Sequence, residues 1–182
     1  MNAIDHYWTM ARYNRLMNER LYAVASELSD EERKRDLGAF FRSVHGTLNH
    51  VLLADRAWLG RFTRDRAVFE SLDAEGRPIQ LTGALDQELY ADFTALRRER
   101  AQTDVVIENF VAGLTREGLV ISLSYRTSRG QRCEHPLWWA LSHFFNHQTH
   151  HRGQATTLLF QLGHDPGVTD LIAFMREGLV GR

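Results

Sequence analysis

The 182-residue sequence contains one cysteine and three prolines, and neither sign of charge predominates. A single cysteine, Cys133, excludes an internal disulfide and favours a reducing compartment. The formal net charge of −1 at pH 7 gives no electrostatic reason to expect nucleic acid or an acidic membrane as a partner. No stretch approaches the roughly 20 apolar residues of a membrane span, and the N-terminus has no apolar signal-peptide core. We therefore expect a cytoplasmic protein.

Length and composition indicate one globular domain. Hydrophobic residues make up 43% of the chain and charged residues 25%, which is typical of globular proteins. A chain of this length buries a core without disulfides. No internal repeat, low-complexity tract or linker divides the sequence. We expect a single domain over residues 1–182.

Apolar periodicity, together with the positions of glycine and proline, predicts four long helices. Their predicted ranges are Ala3–Leu28, Gly38–Phe62, Leu85–Leu114 and Pro136–Gly163. The third helix carries a charged run, Arg97–Arg100, which we expect on its outer face. Long helices joined in this way predict an up-down four-helix bundle.

The segments between and after these helices complete an all-α prediction. The polar stretch Arg64–Thr82 predicts a long surface loop. Val120–Arg126 alternates apolar and polar residues, as a half-buried strand does. Residues Thr127–Gly130 are expected to turn the chain into a partner strand that ends near Cys133. The predicted fold is thus a four-helix bundle with a small β-hairpin before the fourth helix and a short C-terminal helix, which begins after Pro166.

The fourth predicted helix contains almost no charge. Between Pro136 and Gly163 the only fully charged side chain is Arg152. The same helix is rich in large aromatic side chains, namely Trp138, Trp139, Phe144, Phe145 and Phe160. Such a helix is expected to be buried on more than one face, at the bundle centre or against a second copy. We therefore expect a homodimer.

A histidine-rich segment, HFFNHQTHHRGQ at residues 143–154, lies in this fourth helix and holds four of the nine histidines. His147 and His151 stand four residues apart. Such a step along an α-helix rises about 6 Å and rotates about 40°, so both imidazoles project from one face. This arrangement offers two ligands to one zinc or nickel ion. The alternative is a pair of histidines that only form hydrogen bonds in the core.

A third ligand must come from elsewhere, and His50 in the second helix is the best candidate. On the helical wheel it shares a face with small residues, namely Ser43, Gly46, Thr47, Ala54 and Ala57. Small neighbours leave room for an ion, a water molecule and part of a substrate. The alternative is a close helix crossing beside an exposed His50. His6 and His45 are weaker candidates, because no local pattern links them to the pair.

Two charged residues occupy apolar faces of their helices. Asp55 lies within the bulky face of the second helix, and Arg152 lies within the apolar arc of the fourth. A lone buried ion costs several kcal/mol, so neither charge should be buried without a partner. We expect them to pair with each other, or Asp55 to orient a histidine ligand.

Several segments of the chain resemble the DinB-like, or YfiT-like, family of damage-inducible bacterial proteins, which are unrelated to the DNA polymerase that shares the name. The most similar are TLNHVLLADRAWLGRF (Thr47–Phe62) and NHQTHHRGQ (Asn146–Gln154). ARYNRLMNERL (Ala11–Leu21) and DPGVTDLIAFMR (Asp165–Arg176) are also similar to that family. In this order and spacing, the resemblance covers essentially the whole chain.

The resemblance implies a four-helix bundle, often dimeric, with a divalent metal held by three histidines. The family's ligands carry over to His50, His147 and His151, so all three positions are occupied. Relatives include transferases and isomerases that use low-molecular-weight thiols such as bacillithiol or mycothiol, while many members have no assigned reaction.

Three functions follow as hypotheses. The first is a metalloenzyme of the thiol-dependent transferase type, acting on a small electrophilic substrate with a zinc or nickel ion. The second is a metal-dependent hydrolase, and the third is a non-catalytic metal-binding stress-response module. No catalytic residue is assigned, although His143, His150 or Tyr125 could reach the site. Cys133 is interpreted as a structural cysteine. Balanced charge argues against nucleic-acid binding.

Overall fold

A computed structural model describes residues 3–64, 71–73, 75–127 and 130–178. In chain order its helices are α1 (Ala3–Ala25), α2 (Asp30–Lys34), α3 (Val44–Thr63), α4 (Phe93–Ala112), α5 (Arg116–Leu119), α6 (Leu137–Gln161) and α7 (Leu171–Arg176). The strands are β1 (Ser122–Arg126) and β2 (Arg132–Pro136), which form a two-stranded antiparallel sheet. The prediction of a mostly helical chain with a small hairpin is confirmed.

Four long helices, α1, α3, α4 and α6, carry most of the core. Helix α1 packs on α4 and α6, and α3 packs on the same two helices. Their inward side chains form two apolar clusters, one of which includes Met17, Leu52 and Leu159, and the other Leu59 and Leu141. Burying an aliphatic side chain of this size stabilises the fold by about 1.5–3 kcal/mol.

The first predicted helix ends three residues earlier than expected. It was expected to reach Leu28, but α1 ends at Ala25 and the short α2 follows. Helix α2 is separate because Ser29 begins it with a capping box. The Ser29 side chain accepts from the backbone N–H of Glu32, and the Glu32 carboxylate accepts from the Ser29 backbone. This reciprocal pair satisfies backbone donors that a helix start leaves free.

Helix α3 begins six residues later than the predicted start at Gly38. The Ser43 side chain caps the helix by accepting from the Gly46 backbone N–H. Gly46 also lies very close to the preceding turn, because a Cβ atom there would sit 2.2 Å from the carbonyl oxygen of Phe41. The residues before α3 therefore form a tight turn that brings Phe41 back over the first turn of the helix.

Helices α4 and α6 match their predictions in position but are shorter. Helix α4 was expected from Leu85 and begins after Asp92, whose side chain accepts from the Ala95 backbone N–H. Helix α6 lies inside the predicted range Pro136–Gly163. The final helix was also found, and Asp170 precedes it at the N-cap position.

The hairpin lies directly before α6, as predicted. Tyr125 of β1 stands opposite Cys133 of β2. The backbone N–H of Leu137 donates to the Ile121 carbonyl at 2.9 Å and ties the first turn of α6 to the hairpin. Residues 128 and 129 of the predicted turn, and residues 65–70 and 74 of the predicted Arg64–Thr82 loop, lie outside the described residues.

A buried charged network corrects the expected pairing of Asp55 with Arg152. Asp55 instead accepts from Arg100 of α4 at 2.6 Å, and Arg100 also donates to Asp104 at 2.9 Å. Arg152 donates to the side chain of Asn14. Arg100 was predicted on the outer face of its helix, yet it is only 2% exposed. It faces the interior because the two carboxylates that neutralise it lie on the same side.

Surface features bear on two further expectations. No helix in the described part of the chain is long and apolar enough to cross a membrane. Helix α6 packs on α1, α3, α5 and β2, but Trp139 and Phe160 are 54% and 67% exposed. The homodimer stays a prediction.

Candidate metal centre

Three imidazoles from two helices converge on one point. His50 projects from α3, and His147 and His151 project from α6. The Nε2 atom of His147 lies 3.3 Å from Nε2 of His50 and 3.1 Å from Nε2 of His151. The three ligand atoms all lie within 4.8 Å of one another. In a tetrahedral zinc site with Zn–N bonds of about 2.0–2.1 Å, ligand nitrogens lie about 3.3–3.4 Å apart. This triad therefore has the spacing of a group able to hold a metal ion.

Hydrogen bonds behind two of the rings fix which nitrogen faces the centre. Nδ1 of His50 lies 2.7 Å from the Leu85 carbonyl oxygen, and Nδ1 of His151 lies 2.7 Å from Oε1 of Gln154. Both oxygens only accept, so each Nδ1 carries the proton and donates it. The lone pairs of the two Nε2 atoms then point into the centre of the triad. This is the supporting shell usual for metal-binding histidines.

Phe41 forms one wall of the site. Its ring stacks on His50 with 3.8 Å between centroids and 15° between planes. It meets His151 edge-on at 5.4 Å. Phe41 is itself buried, so its ring restricts both imidazoles and keeps water away from that side.

Burial makes all three imidazoles neutral near pH 7. Loss of hydration lowers the pKa of His147 to about 3 and the pKa of His50 to about 4. Burial also lowers the pKa of His151. Imidazoles bind metals only in the neutral form. The triad is therefore in its ligating state without a pH change.

Two further histidines of α6 flank the triad. The His143 ring lies 5.6 Å from that of His147 and 5.1 Å from that of Trp58. The His150 ring lies 4.8 Å from that of His151. Both side chains are exposed, and they lie beside the triad without belonging to it.

The remaining candidates are more distant from the centre. His45 is fully buried and its Nε2 lies 2.9 Å from the Tyr90 carbonyl oxygen, which makes it a core residue. His6 is exposed on α1. The Tyr125 hydroxyl lies 3.2 Å from Nε2 of His135. Cys133 is half-buried on β2, opposite Tyr125.

Sequence reasoning brought together the three histidines but missed the groups that support them. Gln154 had a local signal, because it follows His151 by three residues and so lies on the same helical face. Leu85 and Phe41 had none. They reach His50 from segments outside α3, one 35 residues further along the chain. Contacts of that kind depend on the tertiary fold.

The donor set suits a divalent ion with an open coordination position. Three neutral imidazoles leave the ion its full charge, and catalytic zinc sites combine three protein ligands with one exchangeable position. Imidazole also suits nickel, copper and iron. The residues present therefore fit a divalent metal.

Comparison with known proteins identifies the family of this chain. The model of the DinB family matches residues 1–178. A relative, Protein DinB of Bacillus subtilis (strain 168), is 25% identical over 179 residues, which span 95% of this chain and 96% of that protein. The residues matched by the family model extend from α1 to α7. The chain belongs to the DinB family.

Proposed function

We propose that this protein binds a divalent metal through His50, His147 and His151 and acts as a metalloenzyme of the thiol-dependent transferase type. The observation that carries the proposal is the pair of Nε2–Nε2 distances, 3.1 and 3.3 Å, at a point where burial keeps the rings neutral. Zinc and nickel are the metals we expect. The four long helices are proposed to form the up-down bundle of the family.

The chemistry follows from an open position beside neutral ligands. A bound ion would lower the pKa of a thiol or a water molecule held next to it. Leu85 and Gln154 hold two of the ligand rings in place, and Phe41 excludes water from one side. The exposed side chains of His143 and His150 flank the triad, where they could receive the proton that the bound thiol or water molecule loses. A small electrophilic substrate would enter from that side.

Metal content tests the first half of the proposal. Untagged wild-type protein, reconstituted with zinc or nickel and desalted, should contain close to one ion per chain by mass spectrometry. A His147→Ala/His151→Ala double variant should lose it. A His143→Ala/His150→Ala double variant is the matched control, and it should retain metal because neither ring belongs to the triad. A metal-free wild type after reconstitution would contradict the proposal.

Activity tests the second half. We expect the metal-loaded protein to couple a low-molecular-weight thiol, such as bacillithiol or mycothiol, to monochlorobimane faster than the metal-free protein does. Turnover of ester probes with water alone would favour a metal-dependent hydrolase. Full metal occupancy with neither activity would favour a non-catalytic stress-response module.

A further inference from the structure

A cavity lies between α3, β1 and the irregular segment that precedes α4. Its volume is about 580 Å³. Four of the residues that line it are arginines, namely Arg56, Arg61, Arg64 and Arg126. None of its described lining residues is Asp or Glu. Among the described lining residues the charge is therefore positive, although the whole chain is nearly neutral.

Arg56 has a structural role, and its charge is already paired within the protein. Its Nη2 donates to Glu99 at 2.6 Å, and its Nη1 donates to Ser71 and Tyr90 at 2.8 and 3.1 Å. The Glu99 carboxylate therefore neutralises it. Arg56 fixes the wall of the cavity.

Arg61 is different. Its guanidinium carbon lies 4.4 Å from the Trp58 ring centroid and 4.9 Å from that of Tyr125. Within the described parts of the chain, no carboxylate forms an ion pair with this half-buried side chain, and burial lowers its pKa. An arginine keeps its charge even so. The two rings hold the guanidinium in one place with its hydrogen-bond donors available.

The other two arginines extend the positive region to the rim. Arg64 and Arg126 are exposed. Arg126 donates to the Gly130 carbonyl oxygen at 2.9 Å, and no carboxylate of the described residues forms an ion pair with it. The remaining wall is largely apolar and includes Leu53, Ile79 and Leu81.

We propose that this cavity binds a small organic carboxylate, with Arg61 as the residue that binds the anion. A guanidinium presents paired N–H donors that match the two oxygens of a carboxylate. The apolar wall provides contact area for the organic body of the ligand. Inorganic phosphate has no apolar body and would leave that wall in contact with water.

The cavity is distinct from the triad, although both lie along the same face of α3. Leu53, Ala57 and Arg61 follow His50 at helical spacing on that face. Arg61 lies about 16 Å further along the helix axis than His50. None of the three triad histidines lines the cavity. Binding of the anion should therefore require no metal.

Ligand-observed fluorine NMR tests the proposal with 4-fluorobenzoate and its neutral analogue 4-fluorobenzamide. Wild-type protein treated with EDTA should bind the carboxylate in a saturable manner. It should bind the amide at least about tenfold more weakly, because the amide lacks the charge that strengthens hydrogen bonds to arginine. Equal binding of the two probes, or no saturable binding, would overturn the proposal. Inorganic phosphate that displaces the probe at concentrations below the Kd of 4-fluorobenzoate would overturn the choice of a carboxylate.

Two substitutions identify the site. Arg61→Gln should weaken binding of 4-fluorobenzoate at least about tenfold, whereas Arg116→Gln, at an exposed arginine of α5, should leave it unchanged. Ala57→Glu places a carboxylate four residues before Arg61, where the two side chains pair on a helix. This variant should abolish binding without lowering Tm, which separates loss of the site from loss of the fold. Unchanged binding in Ala57→Glu would refute the assignment. The His147→Ala/His151→Ala variant should bind the probe normally, so failure here and failure of the metal proposal are distinguishable.

Discussion

At the scale of single residues, the arrangement of the triad depends on atoms outside its three rings. His50 and His151 each present a lone pair to the centre because an oxygen behind the ring holds the Nδ1 proton. The oxygen behind His151 belongs to Gln154, one helical turn away. The Gln154 side chain therefore controls the orientation of the His151 ring, although Gln154 is not one of the three histidines of the triad.

We expect Gln154→Ala to lower metal affinity about 10–100-fold, the usual effect of removing a hydrogen-bond partner of a ligating histidine. The reason is that His151 loses the acceptor that fixes its tautomer and ring plane. Competitive titration against a chromophoric chelator measures the change. Gln161→Ala, at an exposed position of the same helix, is the control. Equal affinities in both variants would mean that the Gln154 contact does not orient the ring.

His45 predicts a pH dependence of stability. Burial lowers the pKa of His45 below its usual value, although the nearby Glu88 opposes the shift. The unfolded chain then binds a proton that the folded protein excludes. Stability is therefore present above the unfolded pKa of about 6.5 and is lost as the pH falls below it.

Urea unfolding in EDTA between pH 5 and pH 8 measures this loss. We expect the free energy of unfolding to fall more steeply with acidification in the wild type than in His45→Gln, which keeps a hydrogen-bond donor but does not titrate. The histidines of the triad contribute equally to both proteins, so they cancel in the difference. Parallel pH profiles would show that His45 does not contribute.

At the scale of elements, the charged network ties three long helices together. Arg100 of α4 reaches Asp55 of α3, and Asp104 accepts from Asn14 and Asn18 of α1. Burial raises the pKa of both carboxyl groups, while Arg100 opposes the rise. Removing the arginine leaves two acidic groups in the core without the cation that forms ion pairs with both.

Arg100→Met should therefore destabilise the protein by about 3–5 kcal/mol, the usual result of removing one partner from a buried ion pair. Arg98→Met changes an exposed arginine of the same helix and should alter stability by about 0.5 kcal/mol or less. Chemical denaturation of both variants gives the comparison. A loss below about 1 kcal/mol in Arg100→Met would mean that the carboxyl groups are protonated or solvated in the folded state.

The helices themselves could be predicted from sequence because periodicity is local information. Their ends could be predicted less well, since α3 begins where Ser43 caps it and Gly46 permits the turn. The burial of Arg100 could have been predicted from its helical spacing, but its place in the charged run Arg97–Arg100 indicated an exposed position instead. Phe93, Leu96 and Arg100 are spaced at helical intervals on the buried face of α4. Partners across helices, such as Asp55 with Arg100, depend on packing that no local pattern encodes.

At the scale of the whole molecule, the exposed aromatic residues of α6 have no packing partner within the described part of the isolated chain that would bury them. Trp138, Trp139 and Phe160 are all exposed. Aromatic side chains are enriched at protein interfaces. The predicted homodimer would cover part of this surface.

Light scattering coupled to size-exclusion chromatography should give twice the chain mass of 21.0 kDa at micromolar concentration. Phe160→Glu should shift the mass towards the monomer, because it introduces a charge into an apolar contact. Gln102→Glu, at an exposed position of α4, is the control for added charge. A wild-type mass of one chain would reject the dimer.

Gly46 gives the candidate metal centre a sequence signature wider than its histidines. A methyl group at this position would overlap the Phe41 carbonyl oxygen, and the ring of Phe41 lies on His50. Because Gly46 has no side chain beyond a hydrogen atom, the ring of Phe41 can pack over His50, four residues after the glycine. A search for unrecognised relatives with the same site should require glycine, three residues of any type and histidine, preceded by an aromatic residue. Chains that keep the histidines but carry a larger residue in place of this glycine should hold their metal in a wetter and looser pocket.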